Sequence, residues 1–300
     1  MLRLLLLFLI VIPASAAAQL PVVDMHLHYK WSQQEVTSPD EAIRLLAAAQ
    51  VGLGVVIGTP AERALLLSER SNGRLVSIWS PYREGGDWSR WATDTSVVAR
   101  AREALASGNY YGIGELHLVG GFVPRAKPGD VTSQLMVLAQ EYDVPVLLHT
   151  EFSRADRMRA LCTKHPRTRI VWAHAGAILP PAAVESVLAD CDNVMAGLAA
   201  RDPWRFVNSP ITDGQGKLLP AWRALLLRYP DRFMVGSDPV WPVDQLDRWD
   251  EADTGWQELG RFWAYHRNWL ADLPQNVALR IACKNAVDTF MPTAGDLCDL

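Results

Sequence analysis

From Pro21 onward, eight short apolar runs rich in β-branched residues alternate with amphipathic helical stretches, with no low-complexity linker and no shift in composition between them. That period predicts an α/β fold, and eight repeats of it predict a (β/α)8 TIM barrel, whose parallel strands all end at one mouth. The polar residues that interrupt the runs fall mostly at strand ends, where barrel enzymes keep their working groups. A doubly wound open sheet is the alternative, but no GxGxxG follows the first strand to support it.

The first strand is read at Val22–His28, and its end brings His26 and His28 onto one face, because alternate strand residues point the same way. The other strands are read at Gly54–Ile57, Leu75–Trp79, Gly112–His117, Val144–His149, Ile170–His174, Val194–Leu198 and Phe233–Gly236. The first helix carries its own start signal: Ser38-Pro39-Asp40-Glu41 places an N-cap serine, a proline at the first helical position and a capping-box glutamate ahead of Ala42-Ile43-Arg44-Leu45-Leu46. Further helices are expected at Ala61–Glu69, Ser96–Ser107, Thr132–Tyr142, Arg154–Lys164, Ala182–Ala189 and Pro220–Tyr229, with Gly108 where a helix-ending glycine belongs. Thr254–Leu270 and, past Pro274, Asn276 to Phe290 complete the set.

Met1-Leu2-Arg3, the apolar run Leu4 to Ile12 and the small residues Ala14-Ser15-Ala16-Ala17-Ala18 have the form of a secretory signal. The expectation is a signal peptide over residues 1–18, a single barrel domain over 19–300 and a periplasmic or secreted location. An uncleaved anchor is disfavoured, since the run falls short of the roughly 20 residues that cross a bilayer. The formal charge is −4 and the basic residues are scattered, which argues against a dedicated nucleic-acid groove and favours a small neutral or anionic substrate. Cys162, Cys191, Cys283 and Cys298 show no CxxC spacing, so cysteine ligation of zinc is not expected. In an oxidising compartment Cys162–Cys191 and Cys283–Cys298 are the favoured pairs, because they close the shortest non-overlapping loops; four reduced buried thiols are the alternative.

The strand ends collect one kind of chemistry. His26 and His28 close the first strand, Glu115 and His117 the fourth, His149 the fifth and His174 the sixth, while Asp238 follows the eighth. A lone histidine after a strand is more often a satisfied core or surface residue. Imidazoles and carboxylates at the same end of five strands instead call for a cation that offsets the cost of desolvating the acids. His165 and His266 stay outside this group, and Asp24 is read as structural.

At these motifs the sequence resembles the metal-dependent amidohydrolase superfamily, in its amidohydrolase-2 and TatD-like branches. Val23-Asp24-Met25-His26-Leu27-His28 looks like the first-strand HxH motif, Gly112-Ile113-Gly114-Glu115-Leu116-His117 the fourth-strand glutamate motif, and Pro145-Val146-Leu147-Leu148-His149 the fifth-strand histidine. Val171-Trp172-Ala173-His174-Ala175-Gly176 and Val235-Gly236-Ser237-Asp238-Pro239 resemble the sixth- and eighth-strand motifs, and Ile281-Ala282-Cys283-Lys284-Asn285-Ala286 the closing helix. The branch with a carboxylated bridging lysine is disfavoured, because Glu115 stands in that lysine's place.

The resemblance implies one of two sites. In a binuclear site His26, His28 and Asp238 hold the first ion, Glu115 bridges, and His149 with His174 hold the second. In a mononuclear site His26, His28, His149 and Asp238 bind one ion, His174 is the general acid/base, and Glu115 supports the ligands from behind. Either implies a water activated by a divalent metal, with Asp238 taking its proton; zinc is favoured for such ligands, with manganese or iron as alternatives. The implied activity is hydrolysis of an ester, lactone, amide or similar bond in a small molecule. A metal-dependent decarboxylase, a TatD-like nuclease and a non-catalytic metal- or ligand-binding barrel are the alternatives. Substrate contacts are expected from Tyr29-Lys30-Trp31, Tyr82-Arg83, Arg201 to Arg205 and Trp241, with Arg83, Arg201 or Arg205 suited to an anionic group and His117 and Glu151 as further candidates. Trp256, Trp263 and Trp269, at roughly helical spacing, read as packing. No nucleic acid and, after signal cleavage, no membrane is expected as a partner, and homo-oligomerisation is left open.

Overall fold

The computed structural model describes residues 20–118, 130–150, 154–205, 209–241, 251–291 and 297–298. The expected signal peptide and Glu151 lie outside the described residues. Among the described residues eight parallel strands alternate with helices: β1 (Val23–Lys30), β2 (Leu53–Thr59), β3 (Leu75–Ile78), β4 (Ile113–His117), β5 (Val146–His149), β6 (Ile170–Trp172), β7 (Val194–Gly197) and β8 (Phe233–Met234). The helices between them are α1 (Pro39–Ala48), α2 (Glu62–Arg70), α3 (Ser96–Ala106), α4 (Asp130–Glu141), α5 (Ala155–Lys164), α6 (Pro181–Asp190) and α7 (Pro220–Arg228). After β8 come α8 (Leu259–Leu270), α9 (Gln275–Leu279) and α10 (Asn285–Phe290). The N-cap reading of α1 holds: Ser38 Oγ accepts the amide of Glu41, with Pro39 at the first helical position.

The ladders run β1-β2-β3 and β4-β5-β6-β7-β8, all parallel. Backbone bonds join them into a TIM barrel. Between β3 and β4, Trp79 N donates to Gly112 O at 2.9 Å and Gly114 N to Trp79 O at 2.7 Å; between β8 and β1, Met25 N donates to Val235 O at 3.1 Å and Asp238 N to His26 O at 2.8 Å. Gly236 is needed at this last seam, since a Cβ there would lie 2.9 Å from His26 N.

Several strands are shorter than the sequence suggests. β6 stops at Trp172, and His174 sits in the following 3-10 turn, Ala173–Gly176; β8 stops at Met234, before Gly236. The last expected helix is α9, a π turn at Arg280–Lys284 and α10 in succession.

One apolar cluster lies inside the barrel, where Val23, Met25, Val55, Ile57, Ile78, Leu147, Val171 and Met234 meet Val287 and Phe290 of α10. A second lies between strands and helices and takes Leu27, Tyr29, Val56, Leu116 and Leu148. β1 changes face between these clusters. A register shift between Asp24 and Leu27 lets Met25 and His26 both serve the interior, the effect of a β-bulge.

Both disulfides form as paired in the sequence, Cys162–Cys191 tying α5 to the end of α6 and Cys283–Cys298 tying the C-terminal segment to the helix that closes the barrel bottom. They span 29 and 15 residues respectively. Replacing either pair by alanine is expected to cost about 2–4 kcal/mol, more for the longer loop, as measured by guanidinium unfolding.

Candidate metal centre

Glu115 is the hub on which the strand ends converge. Its Oε2 faces His28 Nε2 at 3.1 Å and His26 Nε2 at 3.3 Å, and its Oε1 faces His149 Nδ1 at 2.8 Å and His174 Nε2 at 3.5 Å. Asp238 Oδ1 is 3.7 Å from His28 Nε2, and its Oδ2 is 3.8 Å from His174 Nε2. All six predicted site residues, His26, His28, Glu115, His149, His174 and Asp238, therefore meet at the mouth, and His117 joins them with Nε2 3.6 Å from Glu115 Oε2. His26, Glu115, His174 and Asp238 are buried, while His28 and His149 keep partial access to solvent.

The local chain is bent to do this. Gly114 has φ +142°, and a Cβ on it would lie 2.6 Å from Leu147 O, so only glycine lets β4 pass β5 and turn Glu115 inward. His174 (φ 55°) and Asp238 (φ 46°) are left-handed, a conformation that costs a non-glycine residue about 1–3 kcal/mol and persists where the surroundings enforce it. Two buried arginines do the enforcing. Arg201 donates to His174 O at 2.9 Å and Ala175 O at 3.2 Å; Arg205 donates to Ser237 O at 2.7 Å and Asp238 O at 2.5 Å while pairing with Asp202 at 2.6 Å.

These contacts correct the reading of the mouth. Arg201 and Arg205 are spent on carbonyls and a buried carboxylate, so they hold site residues rather than wait for an anionic substrate. Arg83 is half-exposed and paired with Asp87 at 2.9 Å. Tyr29 points away from the histidines and bonds Thr37 O at 2.8 Å. Lys30 pairs with Asp253 at 3.4 Å. The tryptophans after β8 pack as expected, and they also hold the site: Trp256 donates to His28 O at 3.0 Å, Trp263 to Asp24 Oδ2 at 3.1 Å and Trp269 to His266 Nδ1 at 3.2 Å.

Asp24 is structural, as read, but the bulge turns it toward α8 rather than along the face of His26. Its Oδ1 accepts the amides of His26 at 3.1 Å and Ser237 at 2.9 Å. Burial pushes its carboxyl up to about 6, against the pull of these donors.

Burial alone would raise the Glu115 carboxyl, but the surrounding imidazoles hold it well below the ordinary range, and Asp238 is lowered in the same way. Burial lowers His26 and His117. Burial thus favours the neutral rings of His26 and His117, the form in which an imidazole can bind a cation. The donor set fits a metal on a second count. His26 Nε2 and His28 Nε2 stand 3.0 Å apart while both face the same carboxylate oxygen, and a tetrahedral zinc with bonds of about 2.0–2.2 Å spaces its ligand atoms about 3.3–3.6 Å apart. Among the described residues, three groups offer ligand atoms within 4.8 Å of one another: His26, His28 and Asp238; His26, Glu115 and His174; and Glu115, His117 and His149.

A histidine and carboxylate cluster of this kind, at the mouth of a parallel barrel, is able to bind a divalent metal. The family model described as Amidohydrolase matches residues 23–290, and the chain belongs to that family. Among solved structures it is similar to a TatD homologue from Escherichia coli K12, at 18% identity over 90% of this chain and 97% of that one, with a TM-score of 0.61. A probable 2-pyrone-4,6-dicarboxylic acid hydrolase from Acinetobacter baumannii aligns at 14% identity over 90% and 98%, TM-score 0.53. A Burkholderia multivorans amidohydrolase with bound zinc aligns at 15% over 90% and 99%, TM-score 0.51. No curated protein matches the sequence.

His266 lies behind the centre, its Nε2–H donating to Gly236 O at 2.9 Å, and burial lowers its pKa to about 4 from 6.5. The folded protein thus binds the proton later than the unfolded chain as pH falls. The neutral ring costs nothing above pH 6.5; stability is lost between 6.5 and about 4, amounting to about 3 kcal/mol at completion. Urea unfolding across this window should show a shallower acid loss in His266→Gln than in the parent.

Proposed function

We propose that the protein is an exported metal-dependent hydrolase that cleaves an ester, lactone, amide or similar bond of a small molecule. The observation that carries this reading is the convergence of His26, His28, His149, His174, Glu115 and Asp238 on one point at the barrel mouth. The Acinetobacter relative, a probable pyrone dicarboxylic acid hydrolase, and the zinc in the Burkholderia relative support the class of chemistry and of metal. The two disulfides, together with the leader-like residues 1–18, support export to an oxidising compartment.

His26, His28 and Asp238 would hold the ion, with Glu115 against both imidazoles. A bound divalent metal supplies Lewis acidity and a water whose pKa falls from about 15.7 to near 7. Asp238 accepts the water's proton as its oxygen bonds to the acyl carbon, and returns it to the departing oxygen or nitrogen as the C–O or C–N bond breaks. His174 is set for the same traffic: its Nδ1–H donates to Ala199 O at 2.9 Å, which leaves the Nε2 lone pair directed at Asp238 and Glu115.

Zinc-loaded protein is expected to turn over at least one member of a panel of esters, lactones, amides and phosphoesters. Turnover confined to phosphodiesters would mark a nuclease, release of carbon dioxide from aromatic acids without hydrolysis a decarboxylase, and silence with metal bound a binding protein. In Asp238→Asn, metal content by elemental analysis should stay near the parent value while kcat falls about 10²–10⁴-fold. A variant that keeps its turnover removes Asp238 from the proton path.

A further inference from the structure

His117 has no task in this chemistry, yet it is held as firmly as any ligand. It is 5% exposed, and its ring lies 4.3 Å from that of His149 and 4.3 Å from that of Trp88. The Tyr82 hydroxyl accepts the His117 amide at 2.9 Å and stands 3.0 Å from Nδ1. Tyr82 is itself buried and stacked on Trp88 at 4.0 Å, so the ring cannot turn and Nε2 stays aimed at Glu115. An imidazole gripped at one nitrogen and aimed with the other is how proteins prepare a metal ligand.

Glu115 presents its two oxygens to different partners. Oε2 faces His26 and His28 and, at 3.6 Å, His117, while Oε1 is closest to His149, at 2.8 Å, so the carboxylate reaches both groups. Glu115, His117 and His149 offer ligand atoms within 4.8 Å of one another, beside the separate group of His26, His28 and Asp238.

We infer that His117 is a metal ligand: with Glu115 and His149 it forms a second divalent-cation position, and Glu115 is shared between the two. This rests on the metal-dependent reading above and alters it, since the family resemblance gives the second ion to His149 and His174. His174 groups instead with His26 and Glu115. The donor set of two imidazoles and a carboxylate suits zinc, cobalt or manganese.

The test is metal binding, read without substrate. Purified protein is stripped with chelator and titrated with Co²⁺, following the visible absorption and the metal content per chain. The parent should bind two ions, and His117→Ala one, with the bands of the second ion missing. Tyr82→Phe, which keeps the ring and loses only the hydroxyl, should bind both but hold the second about 10–100-fold more weakly, leaving the first unchanged. It keeps the inference testable should His117→Ala fail to fold. A parent that binds a single ion, a folded His117→Ala that binds two with an unaltered spectrum, or a Tyr82→Phe with unchanged second affinity overturns the inference and leaves the metal reading standing. A parent that binds no ion overturns both.

Discussion

The seam between β8 and β1 is the constraint on which the site depends. β8 is two residues long, too short to align a neighbouring strand by ladder pairing alone. Alignment passes to a few bonds beyond it: Met25 N to Val235 O, Asp238 N to His26 O, and the Asp24 carboxylate on the amides of both His26 and Ser237. A single buried anion thereby fixes the ends of two strands that carry three proposed ligands. Its cost is visible in the raised Asp24 carboxyl, and donors from three directions, Trp263 included, offset that cost. Strand ladders alone would leave Asp238 free to follow its own loop.

The same logic runs through the rest of the mouth. Where regular structure stops, backbone carbonyls lose their strand partners and must find others. Arg201 takes those of His174 and Ala175, and Arg205 those of Ser237 and Asp238. Three left-handed residues sit at these points, His174, Ala175 and Asp238, with φ between 46° and 55°. A planar guanidinium with several fixed donors can clamp adjacent carbonyls in a way that lysine's single ammonium cannot, which is why arginine occupies both positions. Strain in the ligand-bearing turns is held by charge buried beside them.

This arrangement explains what the sequence disclosed and what it hid. The barrel was legible because strand and helix periods differ and eight alternations leave few other folds. The convergence of the proposed ligands was legible because a parallel barrel collects its strand ends, so His26, Glu115, His149, His174 and Asp238 needed only to lie near or just beyond those ends to meet. Contacts that cross the fold left no such trace. Nothing local distinguishes Arg201 and Arg205, clamps on carbonyls, from arginines that await a substrate. The bulge in β1 breaks strict alternation, so Asp24 faces α8 although it lies an even number of residues from His26. Tyr82, read as a substrate contact, instead grips His117 from a loop 35 residues away. The pattern Trp256, Trp263 and Trp269 did announce packing, but its indole N–H bonds to the seam are visible only in three dimensions.

Charge at the centre bears on what it attracts. Glu115 and Asp238 bring two negative charges into a buried place, and the imidazoles around them are neutral as ligands, so one divalent ion balances the set. A second ion on Glu115, His117 and His149 adds two positive charges with no further described carboxylate among its ligands. Hydroxide or an anionic substrate can meet that excess. With Arg201 and Arg205 committed to carbonyls, an anionic substrate would on the proposed reading be drawn by the centre itself, where His28 and His149 are the proposed ligands that solvent reaches. Selectivity for anions would in that case rise and fall with occupancy of the second position rather than with Arg201 or Arg205.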